Sequence, residues 1–359
     1  MNFTTGRNSI ACLIILMTTT RPLFGQAPSP AVWRFNNRIQ LLTENDSNVE
    51  EALTGEKSAR SLRFMIHTKI NRHQKTFSFN FAHQGGLQLY NGLARENKLI
   101  DEITGRFLLN MTPVIKLGFQ AFGRIKIYLN GDSDYAIGHF APYLQLNLPL
   151  SLILQTGYRS EGLDYAKSDN HDTSSPSYFF QISRRIAKDL SITPEFTFGN
   201  VLFERPAYTM SPDWGWIPTD KKQEDRRYTI GLNADWFWRG FLLNVSYRYE
   251  DYRSNSYGFD MNRHVVDVIF AKNIGGFLVR SYASFQKKSY LDDLLPFWPL
   301  ELDTEKEESN FLILDISYDF PLFTLLTSFA WYKNESPWAT LYYEKWLVNF
   351  GIEFRLSNP

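Results

Sequence analysis

The sequence predicts an all-β fold, a transmembrane antiparallel up-and-down β-barrel of about sixteen strands. Three observations predict it. Runs of alternating apolar and polar side chains recur along the chain, tight turns alternate with longer polar loops between the runs, and 16% of the 359 residues are aromatic. A strand presents successive side chains to opposite faces, so each run has one apolar face and one face beside water. When the apolar environment is lipid, the polar faces enclose a lumen.

The last run, from Trp346 to Leu356, shows the alternation most clearly. One of its faces is apolar throughout, whereas the other carries Asn349, Glu353 and Arg355. A soluble sandwich would bury the apolar face in a core, but its Greek-key crossings give no reason for tight turns and long loops to alternate. Runs of this length also reach the roughly 9 to 11 residues with which a tilted strand crosses the hydrocarbon of a bilayer. The pattern therefore favours a membrane barrel.

An even number of runs returns the chain to the side of the membrane on which it starts, as bacterial barrels of this kind do. Tight turns are indicated by Thr112-Pro113, Pro149, Arg239-Gly240 and Pro321, and longer polar loops connect the other ends. The sixteen predicted runs are residues 33–42, 61–71, 76–90, 99–111, 114–129, 135–148, 152–163, 178–186, 191–203, 227–238, 241–253, 264–271, 277–290, 311–320, 323–333 and 340–356.

The N-terminus has the outline of a secretory signal peptide over residues 1–25, with Arg7 before an apolar run from Ile10 to Met17. Residues 26–359 are then a single barrel domain. Cys12, the one cysteine, lies in the signal segment, so the mature chain offers no disulfide and no thiolate ligand. Removing Arg7 and Arg21 leaves 38 − 2 = 36 bases against 38 acids, a balance that does not suggest a nucleic-acid partner.

From its signal segment to its last strand the chain resembles porin-like bacterial outer-membrane barrels, and the segment from Tyr247 to Ile269 is similar to their hairpins. The resemblance implies an outer-membrane location, contact with outer-membrane lipid, and recognition by the barrel insertion machinery. Homo-oligomers are among the assemblies it implies.

Barrels of this size usually leave an aqueous channel, so we expect a channel for small polar or anionic solutes. The alternatives are an export barrel for a polysaccharide or lipid, working with a periplasmic partner, and a structural or adhesive barrel. The six histidines are widely separated and lack HExxH spacing, so the sequence predicts no enzyme, no cofactor and no metal site.

Two groups of side chains are candidates for solute selection. The polar faces carry more basic than acidic groups, which predicts a weak preference for anions. The lumen-lining candidates are Lys116, Arg124, Lys126, Asp235, Arg248, Glu250 and Arg280. The loops predicted over residues 204–225 and 291–308 supply the second group, the aromatic residues Trp214, Trp216 and Trp298. These residues either narrow the entrance, stack on sugar rings or on a partner, or sit at the lipid interface.

Overall fold

The computed structural model describes residues 33–50, 56–131, 134–166, 170, 172–211, 213, 215–291, 310–334 and 343–356. The signal peptide predicted over residues 1–25 lies outside these residues. The strands are β1 (Arg34–Asp46), β2 (Ala59–His73), β3 (Phe77–Tyr90), β4 (Lys98–Asn110), β5 (Ile115–Tyr128), β6 (Tyr135–Leu148), β7 (Leu152–Tyr165), β8 (Thr173–Ala187), β9 (Leu190–Met210), β10 (Trp216–Trp238), β11 (Phe241–Ser254), β12 (Met261–Ile274), β13 (Phe277–Tyr290), β14 (Asn310–Asp319), β15 (Thr324–Asn334) and β16 (Tyr343–Arg355).

Every strand pairs with its neighbours in the sequence, and β1 pairs with β16, so the sheet closes on itself. All sixteen pairings are antiparallel. The closing pair runs from Arg38 opposite Arg355 to Asp46 opposite Leu347. The predicted fold class and strand number are therefore confirmed. A single 3-10 turn, Ala94–Glu96, interrupts the strands in the described part of the chain. None of the described helical residues forms a helix that is long and apolar enough to cross a membrane.

The short connections lie at the end of the barrel where β1 begins and β16 ends. Three of them have positive φ at both central residues, namely Leu150-Ser151, Arg239-Gly240 and Gly275-Gly276. This conformation matches the twist of two antiparallel strands and allows a two-residue turn. The loops that follow β1, β3, β5, β7, β9 and β11 lie at the opposite end, as the alternation of turns and loops predicts.

The outer surface of the barrel is apolar. Phe350 is 52% exposed, whereas Asn349 faces inward and is buried. The same alternation exposes Ile125, Ile230 and Phe285 on other strands. Aromatic rings pack side by side across neighbouring strands, with centroids 5.8 to 5.9 Å apart, in the row Phe77, Phe107, Phe119 and Phe140. A soluble protein seldom exposes an apolar surface of this extent, so the belt requires an apolar environment.

The segment from Glu204 to Asp225 was predicted to be a loop, and this prediction is wrong. β9 continues to Met210 and β10 begins at Trp216, so the segment is an extended hairpin. The outward residues Glu204, Lys222 and Glu224 are polar, and the pairing shifts register between Pro218 and Glu224. Because these strands rise above the apolar belt, their side chains do not alternate between lipid and water, and the sequence pattern fails there.

Candidate functional site

The inner wall of the barrel is the candidate functional site. Its surface is polar, and many of its side chains are buried against one another. Amide groups form a row across β6, β7 and β8, where Gln145 pairs with Gln155 and Gln155 with Gln181. Gln155 Nε2 donates to Gln145 Oε1 at 2.8 Å, and Gln181 Nε2 donates to Glu195 Oε2 at 2.8 Å. The wall therefore has fixed donors and acceptors.

Charged groups form a network over β7 to β12. Arg227 Nη2 donates to Glu161 Oε2 at 3.0 Å and to Ser175 Oγ at 3.3 Å. On β11 and β12, Arg263 donates to Glu250 Oε2 through Nη2 at 2.7 Å and through Nε at 3.0 Å. Charge-assisted bonds of this kind are short and strong. This half of the wall is held by paired charges.

A basic patch lies beside this network, on β4 and β5, with β6 between them. Arg106 Nε donates to the hydroxyl of Tyr143 at 3.2 Å. Lys116 lies between Asn110 and Gln145 in the pairing of the strands. Among the described residues, neither Arg106 nor Lys116 forms an ion pair with a carboxylate. These two cations therefore face the lumen without an acidic partner.

The seven lumen-lining candidates are all on the inward faces of their strands. Most of their charges are balanced locally. Arg124 contacts Glu102 at 3.1 Å, Arg248 contacts Asp267 at 3.2 Å, and Arg280 contacts Asp315 at 3.4 Å. Glu250 accepts from Arg263, and Asp235 accepts from Asn244 at 2.7 Å. The Lys126 ammonium lies 5.2 Å from the ring centroid of Tyr135, while Lys116 belongs to the basic patch.

One further base, Arg239, does not line the lumen. It lies in the turn between β10 and β11, and its guanidinium stacks 4.7 Å from the ring centroid of Trp238. The aromatic loop candidates are less well defined. Trp216 begins β10, opposite Met210, whereas Trp214 and Trp298 lie outside the described residues.

A buried cluster at the rim was missed by the sequence reasoning because it lies within the segment read as a loop. Arg205 Nε donates to Gln223 Oε1 at 2.8 Å, and Gln223 Nε2 donates to Asp225 Oδ1 at 2.9 Å. Ser254 Oγ donates to the same carboxylate at 2.6 Å. Phe259 covers Arg205, with 5.0 Å between its ring centroid and the guanidinium carbon. The sequence signal that could have found this cluster is the spacing of its polar residues. Arg205 on β9 and Gln223 and Asp225 on β10 occupy the inward-facing positions of their strands.

The rim cluster is above the apolar belt, and its burial changes the proton affinity of its charged groups. Burial raises the pKa of Asp225, and the hydrogen bonds from Ser254 and Gln223 act in the opposite direction. Burial lowers the pKa of Arg205, against the attraction of Asp225. The loop after β11 packs onto this cluster, since Tyr208 N donates to Ser256 Oγ at 2.9 Å and Tyr257 N donates to Tyr208 O at 2.9 Å.

The described residues include no group of three or more His, Cys, Asp or Glu side chains placed to hold a metal ion. The paired charges and amide rows instead form a continuous polar lining. An arrangement of fixed donors and acceptors along a lumen can bind and pass polar solutes by exchanging their hydration for wall contacts.

No protein-family model and no curated protein matches the chain. Among solved structures, it resembles OccAB3 of Acinetobacter baumannii at 9% identity, covering 91% of this chain and 99% of that chain, with a TM-score of 0.46. It resembles OmpT of Vibrio cholerae, in the trimer form, at 10% identity, with coverage of 90% and 99% and a TM-score of 0.44. OccK5 of Pseudomonas aeruginosa is 8% identical, with coverage of 91% and 98% and a TM-score of 0.41.

The assignment of the fold rests on the strand order and register of the chain itself. The apolar exterior, the polar wall and the closed sheet of sixteen strands together define a porin-like barrel.

Proposed function

We propose that the protein is a channel of the bacterial outer membrane for small polar solutes, anions among them. The observation that carries this proposal is the reversal of polarity across one closed sheet, in which large apolar side chains cover the outside and hydrogen-bonded polar groups cover the inside. Lipid is the favourable environment for the apolar outside, and water is the favourable environment for the polar inside. Closure also leaves no unpaired strand edge within the bilayer.

The proposed function also gives a role to the other parts of the chain. Residues 1–25 direct export as a signal peptide, and residues 26–359 form the barrel domain. The barrel contacts outer-membrane lipid through its apolar belt, and the insertion machinery assembles it there. We assign it no enzymatic activity and no cofactor. Homo-oligomerisation is compatible with the apolar exterior, which offers a large surface to a second copy.

Weak anion preference is part of the proposal. The Arg106 and Lys116 cations have no ion-paired carboxylate among the described residues, whereas most other charges of the wall are paired. Salt screens such charges beyond about 8 to 10 Å at physiological ionic strength, so the preference is modest and decreases as salt increases.

Planar-bilayer recording of the refolded protein tests this function. A closed barrel resists SDS at room temperature and changes its gel mobility only after boiling, which establishes folding before the recording. We expect stepwise conductance from the folded sample and none from the boiled sample or from detergent alone. Folded protein without conductance would contradict the channel and would favour the export or structural alternatives.

A further inference from the structure

A cavity in the inner wall has the size and the polar groups of a solute-binding site. Its volume is about 200 Å³, and it is lined by side chains of β1, β2, β3 and β13 to β16. This is roughly the liquid volume of six or seven water molecules, enough for a solute of about a dozen heavy atoms. Its polar lining residues are Gln40, Arg63, Gln84, Arg280, Asp315, Thr327, Ser328 and Asn349.

The base of the cavity is set by the register of four strands. Asn349 on β16 pairs with Ser328 on β15, Ser328 pairs with Asp315 on β14, and Asp315 pairs with Arg280 on β13. The next inward position on β16 is Gly351, which pairs with Leu42 and Leu326. Because Gly351 has no side chain, Leu42 packs where a Cβ would lie, at 2.6 Å from its Cδ2. The cavity is thereby polar on one side and apolar on the other.

Two polar atoms around the cavity lack a hydrogen-bond partner within the described part of the chain. They are Asn349 Oδ1, an acceptor on a side chain that is 9% exposed, and Arg63 Nε, a donor. A buried polar atom without a partner is costly. Neither atom has appreciable accessible surface, so this cost falls on the wall itself and a ligand in the cavity does not reach them. Hydroxyl groups both donate and accept, so they suit the neutral side chains that line the cavity, Gln40, Gln84 and Ser328.

The charges of the cavity are already balanced. Arg63 Nη1 contacts Glu44 Oε2 at 3.0 Å, and Arg280 Nη2 contacts Asp315 Oδ2 at 3.4 Å. An anionic ligand would compete with these carboxylates for the guanidinium groups and would place negative charge near Asn349 Oδ1. An uncharged ligand leaves both ion pairs intact. The apolar side formed by Leu42, Met65 and Leu326 suits the C–H face of a sugar ring.

We propose that this cavity binds an uncharged, polyhydroxylated solute of monosaccharide size. This assignment rests on the proposed channel function, because the cavity would bind a solute of the channel during its passage through the lumen. The side chains of Ser328 and Asn349 at the base of the cavity, with the amides of Gln40 and Gln84, supply neutral donors and acceptors to its hydroxyl groups.

Saturation-transfer NMR of the detergent-refolded, full-length protein with D-glucose as the probe tests the site without depending on conductance. We expect saturable transfer to glucose in the unsubstituted protein. Asn349→Leu keeps the branched shape of the side chain but removes its amide, so it weakens glucose binding about ten-fold or more, the effect of one buried hydrogen bond. Asn200→Leu makes the same substitution on the outer side of the rim, where the amide donates to Glu224 Oε1 at 2.7 Å, and it leaves glucose binding unchanged.

A second variant tests the site if Asn349→Leu does not assemble. Ser328→Leu fills the cavity from its base, and we expect it to abolish transfer to glucose while gel mobility still changes on boiling. Absence of transfer in the unsubstituted protein, or equal loss in Asn200→Leu, would overturn the site. Sodium acetate and glycine serve as alternative probes, and tighter binding of either would replace the polyhydroxyl assignment with an anionic or zwitterionic one.

The two proposals fail in different ways. Protein that conducts ions but binds no glucose would overturn the site and leave the channel in place. Protein that binds glucose at the Asn349-dependent site but does not conduct would overturn the channel.

Discussion

Arg227 of β10 donates a hydrogen bond to Glu161 of β7 at 3.0 Å, although two strands lie between them. The residue that pairs with Arg227 on β9 is Gly199, which has no side chain that would lie between Arg227 and Glu161. Ser175 of β8 accepts a second bond from the same guanidinium. One arginine of β10 therefore hydrogen-bonds to side chains of β7 and β8 and spans β9 across the inner surface.

We expect removal of either partner of this buried pair to be costly. Arg227→Met leaves Glu161 with only the longer contact to Arg159 at 3.6 Å, and Glu161→Met leaves Arg227 without its carboxylate, so either single variant should reduce the free energy of unfolding, by about 3 kcal/mol at most. The double variant should lose much less than the sum of the two. Urea titrations of the protein in lipid vesicles measure these values.

The more exposed pair Arg280–Asp315, at 3.4 Å, supplies the control for this cycle. Its single Met variants should lose less than about 1 kcal/mol, as exposed ion pairs do. Additive losses at Arg227 and Glu161 would show that the two groups do not interact.

The face assignment of β16 gives a second prediction. Phe350→Arg places a charge on the apolar exterior and should cost about 2 to 4 kcal/mol if the site lies near the middle of the bilayer. Asn349→Arg turns the same charge toward the lumen and should cost far less. Folding yield into vesicles, read from the heat-dependent gel shift, measures both. Equal losses would refute the assignment of inner and outer faces.

A third prediction concerns ion selectivity. The Arg106→Gln, Lys116→Gln double variant removes two cations without ion-paired carboxylates and should shift the reversal potential in a KCl gradient toward cation preference. Arg124→Gln with Lys126→Gln should also reduce anion preference, but less, because Arg124 is already paired with Glu102 at 3.1 Å. Cation preference in the unsubstituted channel would contradict the proposed role of the basic patch.

A fourth prediction follows from the raised pKa of Asp225. Above the ordinary carboxyl pKa, the folded rim retains a proton that the unfolded chain has lost, so the stability of the rim falls as pH rises through that interval. Hydrogen exchange of the Ser256 and Tyr257 amides, corrected for intrinsic rates, should report this loss as pH rises above the ordinary carboxyl pKa. Asp225→Asn should abolish the pH dependence. An unchanged profile in that variant would assign the effect to another group.

The sequence predicted the parts of this protein that depend on local alternation. Each residue of β16 faces the side that period-two alternation assigns to it, because a strand permits no other choice once one side is lipid. The seven lumen candidates face inward for the same reason. Where the strands leave the lipid, at Glu204 to Asp225, this constraint disappears, and the extended hairpin was read as a loop.

By itself, the sequence determined the closed barrel, the number of its strands and the inward or outward direction of most side chains, since hydrophobic periodicity reports directly on the two environments of a sheet. Only the tertiary structure decided which inward groups meet. The bond from Arg227 over Gly199 to Glu161, and the cavity between β2 and β13 lined by Asn349, depend on strand register and barrel closure. These contacts join residues far apart in the chain, and no pattern within a single strand encodes them.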